Sequence, residues 1–83
     1  MLDVDAIAAL GQRFPHHARK IRRLQAVDAT FRAICEDYGE ALRALAHWQA
    51  ADQSAQQRAE EYRRLVKELE HEALTALKAS EGD

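Results

Sequence analysis

The chain has little of what fixes a fold locally or builds a reactive centre. It has one cysteine, Cys35, in 83 residues. A disulfide within the chain is therefore excluded, and so is a zinc cluster of thiolates. One proline and three glycines leave few places where a helix must stop. No apolar run approaches the roughly 20 residues that cross a bilayer. Neither sign of charge dominates: 12 Lys and Arg stand against 14 Asp and Glu, a net charge of −2. That balance carries no general polyelectrolyte signature. There is no Gly-rich phosphate loop and no ordered Ser/His/Asp set. The start, Met1-Leu2-Asp3-Val4-Asp5, is acidic where a signal peptide is basic, and its apolar run stops at Leu10. These absences predict one small cytoplasmic domain, not an enzyme, with no cofactor and no metal.

What is present is helical. Ala, Leu, Glu, Arg and Gln dominate, a composition of good helix formers. A chain this short buries a limited core and gains from association with a second copy or a partner. The organising stretch is Leu24 to Trp48. Leu24, Phe31, Tyr38 and Leu45 recur one heptad apart, and Val27, Ile34, Ala41 and Trp48 form a second row three residues on. The two rows make an amphipathic seam, widened by Cys35 and Leu42, with Gly39 placed on the far side.

In chain order, Asp3 or Asp5 can cap a short helix carrying Val4, Ile7, Ala8 and Leu10, which Gly11 ends or weakens. This piece, residues 1–13, either docks on the main helices or stays a mobile arm. Phe14-Pro15 punctuates the chain, and Pro15 suits the first turn of the next helix. The first long helix is expected over residues 15–50. Asp28 is a candidate N-cap that would bend it near 26–28. A turn is placed at 51–54, because Ser54-Ala55-Gln56-Gln57 fits a capping box. A continuous rod is the alternative, since no Gly or Pro marks the break. The second long helix covers 55–78, with Ala59, Tyr62, Leu65, Val66, Leu69, Ala73, Ala76 and Leu77 as its stripe. Glu60, Glu61, Arg64, Lys67, Glu68, Glu70 and His71 form its charged face. Glu60 is spaced to pair with Arg63 and Arg64. The tail, 79–83, is expected to fray. Two helices of similar length predict an all-α antiparallel hairpin, coiled-coil-like, behind a short N-terminal segment. The seam residues are Leu24, Val27, Phe31, Ile34, Tyr38, Leu42, Leu45 and Trp48, answered by Tyr62, Leu65 and Leu69. Cys35, Leu42, Trp48 and Leu74 are apolar flanks left over, so two hairpins are expected to pair into a bundle.

Each candidate for chemistry competes with a plainer reading. Cys35 lies on the apolar stripe beside Ile34 and is followed by Glu36 and Asp37. Acids raise a thiol pKa, so a buried small hydrophobe is favoured over a nucleophile. Glu68 and His71 make a Glu-x-x-His half-motif of carboxylate-bridged metal bundles, but a single copy sits on the charged face, and only a dimer could supply the second. His16 and His17 are adjacent and point about 100° apart on a helix. His47 reads as an interfacial helix residue rather than a ligand. Arg13, Arg19, Lys20, Arg22 and Arg23 place five positive charges and no acid between residues 13 and 23. Such a cluster can bind nucleic acid or anionic lipid. The plainer reading, a solvated face or one paired within the chain with Asp28, Glu36 and Asp37, is favoured. Trp48 is either a packing anchor near the turn or an exposed contact for a partner, and packing within the fold or its dimer is favoured.

Phe14-Pro15, Ile21, Leu24, Asp28, Phe31, Ile34, Asp37-Tyr38 and Leu42 together resemble the pattern of the YdcH-like family of small bacterial proteins, a family of unknown function. The resemblance covers Phe14–Leu42 well and Tyr62–Leu77 poorly. In Leu69-Glu70-His71-Glu72-Ala73-Leu74, Glu70 and His71 stand where the family has Lys and Asp. The acid that often follows the family's central Leu is missing at Leu45-Ala46. What the resemblance implies is a helical hairpin, with no active residues to carry over.

The reading favoured by the residues is a non-catalytic module for self-association, as a dimer of hairpins, or for docking on a helical partner. The alternative is a binder of nucleic acid or anionic membrane through Arg13–Arg23.

Overall fold

The computed structural model describes residues 2–51 and 55–80, with the backbone alone for residues 2–5. Four helices appear: α1 (Leu2–Arg13), α2 (Ala18–Val27), α3 (Ala29–Ala50) and α4 (Gln56–Ala79). No strand occurs among the described residues, so the chain is all-α. No described helix is long and apolar enough to cross a membrane.

The breaks follow local chemistry. Phe14 (φ −128°, ψ 71°) leaves the helical region before Pro15, which opens a 3-10 turn over Pro15–His17. Gly11 neither ends nor interrupts α1, which runs on to Arg13. Asp3 and Asp5 lie inside α1 rather than ahead of it, so neither is its N-cap.

Asp28 makes the expected bend. Its extended backbone (φ −117°, ψ 108°) separates α2 from α3. Its N–H donates to the Leu24 carbonyl at 2.8 Å, closing α2. Its side chain accepts from the Phe31 N–H at 3.1 Å, opening α3. Arg32 fastens the joint from above, donating through Nε to the Gln25 carbonyl and through Nη2 to the Ala26 carbonyl. A cation on the last carbonyls of a helix suits the helix dipole. The first long helix is therefore not one element over 15–50 but a 3-10 turn and two helices.

The hairpin is antiparallel. Trp48, late in α3, lies beside Ala59, early in α4, while Tyr38 in mid-α3 reaches Glu70. The molecule measures 47 × 23 × 21 Å. A continuous rod of about 50 helical residues would extend about 75 Å, so the rod is excluded. The Ser54 capping box lies outside the described residues. Ala55, which is buried, stands at the N-cap of α4 and makes no side-chain cap.

The core joins all four helices. Leu10 from α1, Ile21 from α2, Phe31 and Cys35 from α3, and Leu77 from α4 are its largest fully buried side chains. Each large aliphatic or aromatic among them contributes roughly 1.5–3 kcal/mol by leaving water. The N-terminal segment is thus docked, and α1 packs along α3. That docking corrects the one-seam reading. Gly39, expected on the far side, is buried, because α1 covers a second face of α3. Cys35 is core rather than leftover flank. Val27, expected in the seam, is 74% exposed. It is the last residue of α2, and the bend at Asp28 breaks the heptad phase that would have turned it inward.

Candidate functional site

The hairpin seam and the basic cluster are the two candidate surfaces. The seam is split by depth. Phe31, Tyr38 and Leu69 are buried, and Leu24, Ile34, Leu42, Leu45, Trp48 and Tyr62 are half-buried. Leu65 is 38% exposed. The reason is angular. On α3, Phe31, Cys35, Tyr38 and Ala41 are buried in the core, while Asp37 and Ala44 sit around the helix from them at 100° per residue. On α4, Val66, Leu69, Ala73 and Leu77 face the core, and Tyr62 and Leu65 lie on its flank. One side of the hairpin is covered by α1 and the Phe14 corner, where Phe14 comes beside Val66 and Leu74. The other side stays open. There Ala41 and Ala44 of α3 face Tyr62, Leu65 and Leu69 of α4 across a shallow groove of about 320 Å³. Asp37 and Glu40 stand on its rim. Trp48 ends this face, with the Arg58 guanidinium 5.2 Å from its ring centroid and His47 edge-on to it at 4.9 Å.

The five cations of the basic cluster do not act as one patch. Arg13 donates to Glu70 at 3.2 Å and lies over the Phe14 ring. The Lys20 ammonium donates to the carbonyls of Leu77 (2.9 Å) and Ser80 (3.0 Å), capping the C-terminus of α4. Arg19, Arg22 and Arg23 are exposed on α2. Beside them, α1 and α2 leave a second shallow groove, floored by Ile7, Ala8, Gly11 and Ala18 and edged by Arg22.

Glu70 is the residue that sequence reasoning misplaced. Assigned to the charged face of α4, it is the polar centre of the fold. The Tyr38 hydroxyl donates to its Oε2 at 2.8 Å, and Arg13 donates to Oε1. Three helices meet on one carboxylate. Burial first, then the hydrogen bond to Glu70 and its negative charge, push the Tyr38 hydroxyl well above its ordinary value, and Arg13 pulls the other way. Among the described residues, Arg13 of α1 forms an ion pair with Glu70 of α4. No sequence signal separates Glu70 from its acidic neighbours, because its partners lie 32 and 57 residues away. Lys20 and Arg32, whose bonds also cross elements, were equally hidden.

Glu68 and His71 are both exposed. Among the described residues no group of three or more His, Cys, Asp and Glu side chains is placed to hold a metal ion. Cys35 is buried. Compared with known proteins, the chain matches no protein-family model, no curated protein and no solved structure.

Proposed function

We propose that this protein is a non-catalytic helical interaction module that associates with itself through the open side of the α3–α4 hairpin. The observation that carries the reading is the exposed Leu65, standing with Tyr62 and Leu69 over Ala41 and Ala44. A helix pair whose apolar stripe is wider than its mutual contact gains by covering the remainder. The covered and open sides differ: α1 already occupies the first, and nothing in the chain's described residues lies over the second. The basic segment supports anion binding less, because Arg13 and Lys20 hold the fold together from within.

The test is light scattering after size exclusion on the full chain and on Leu65→Glu. The parent is expected to run above its 9.4 kDa chain mass in a concentration-dependent way. Leu65→Glu is expected to keep its helical circular dichroism and fall to the chain mass. A parent that stays at chain mass throughout removes the reading.

A further inference from the structure

We propose that the open α3–α4 face docks on the groove beside the Phe14 corner of another copy of this chain, so that copies join head to tail. The inference rests on the self-association reading and names the surface that receives the open face.

The two surfaces lie on opposite flanks of α4. Tyr62 and Leu65 stand on the open flank. Arg63 and Lys67 are each two residues from Leu65, and two residues turn a helix by about 200°. They therefore stand on the far flank, where a groove of about 540 Å³ runs along the Phe14 corner. Phe14, Val66 and Leu74 make its apolar floor. Phe14 and Leu74 are only half-buried, so the floor is open to an apolar side chain. Leu65 is exposed and supplies one.

Charge selects this pairing over the open face laid on its own copy. Asp37 and Glu40 rim the open face on α3. On α4, Glu61 and Glu68 are exposed and lie four and three residues from Leu65, on its flank. Arg58 stands only at the Trp48 end. Two open faces would set acid against acid, and like charges across an interface repel. The groove presents the opposite sign. Arg13, Arg63 and Lys67 line it, with His71 beside them. The acid among its lining residues, Glu70, is held by Arg13 and Tyr38, which leaves Arg63 and Lys67 to set the charge. Glu60 and Arg64 lie beyond them and offset each other. An acidic rim thus meets a basic rim, and Leu65 meets the Phe14 floor. Because the two surfaces point apart across α4, one contact carries each copy's second surface away from it. Two copies cannot satisfy both contacts, and association grows into a row or a ring of three or more.

Light scattering on the full chain tests this, with two variants whose changed positions are all exposed. Leu65→Glu removes the apolar contact of the open face. Arg63→Glu with Lys67→Glu turns the groove acidic against an acidic rim. Circular dichroism checks that both keep their helices. The parent mass should climb past two chain masses with concentration, and fall as sodium chloride screens the rims. Each variant alone should run at the chain mass. An equimolar mixture should stop at two chain masses, since the intact open face of the second variant fits the intact groove of the first, while the two altered surfaces, both acidic, repel. If the Arg63 and Lys67 variant associates as the parent does, if the parent stops at two chain masses, or if salt strengthens association, the head-to-tail contact is overturned. Loss of association in Leu65→Glu then still leaves the open-face reading standing. Variants that both stay at the chain mass on mixing also overturn the contact. A parent at the chain mass at every concentration overturns the contact and the open-face reading together.

Discussion

Replacing Tyr38 by Phe removes one hydroxyl and leaves the ring's packing intact. The lost bond is an O–H donor to a carboxylate at 2.8 Å. Hydrogen bonds to charged groups are worth ~1.5–3 kcal/mol. The Glu70 side chain is 16% exposed, so water reaches the orphaned oxygen in part. The low end applies, about 1.5 kcal/mol. For a domain of this size that is a drop of ~6–12 °C in Tm. The Arg13 arm of the same carboxylate is 58% exposed, and solvent screens it to below ~1 kcal/mol. Tyr38→Phe should therefore cost more than Arg13→Gln. Glu70→Gln combined with Tyr38→Phe should cost less than the sum of the two. The assay is urea and thermal unfolding followed by circular dichroism, at one protein concentration because association raises Tm. The pH dependence follows from the same bond. The folded chain holds the Tyr38 proton more tightly than the unfolded chain, whose Tyr ionises near its ordinary 10.0. The stabilisation is complete below that value and declines as pH rises above it. Tyr38→Phe should flatten the decline. A Tyr38→Phe chain within ~0.5 kcal/mol of the parent, or one with an unchanged alkaline limb, would refute the three-helix junction.

Three further outcomes follow from the joints. Asp28→Ala should cost ~1 kcal/mol in unfolding experiments through loss of the α3 cap; no loss would mean that Arg32 alone holds the bend. Val27→Asp should fall within about 0.5 kcal/mol of the parent, as exposed positions do, whereas Ile21→Ala should cost ~2–5 kcal/mol. Equal costs would return Val27 to the core. Lys20→Met removes the cation on the last α4 carbonyls and should cost ~1 kcal/mol, given its partial burial, with hydrogen exchange quickening first in the final turn of α4; unchanged protection there would count against that cap.

The hairpin and its joints were legible because they rest on short-range patterns. The Asp28 cap, the Phe14-Pro15 break and the two apolar stripes all act within a few residues. What stayed hidden depends on which face of α3 is covered twice. A heptad stripe shows that Cys35, Ala41 and Trp48 are apolar, but not that α1 lies over one flank of α3 and leaves the other open. Gly39 and Val27 were placed wrongly for this reason, one buried by a helix arriving from elsewhere, the other turned out by a bend. Glu70, Lys20 and Arg32 look like surface charges because their partners are remote in sequence or are backbone carbonyls. The basic cluster appeared as a single patch because charge counting along a chain ignores what each side chain already holds.

The central claim is that the open side of α3–α4 makes contact with another copy. The most direct measurement is a dilution series of amide NMR spectra on the full chain. The account predicts concentration-dependent shifts at Ala44, Tyr62 and Leu65, with the buried core at Phe31 and Leu77 unmoved. Spectra that do not change on dilution, or changes that spare those three residues, would contradict it.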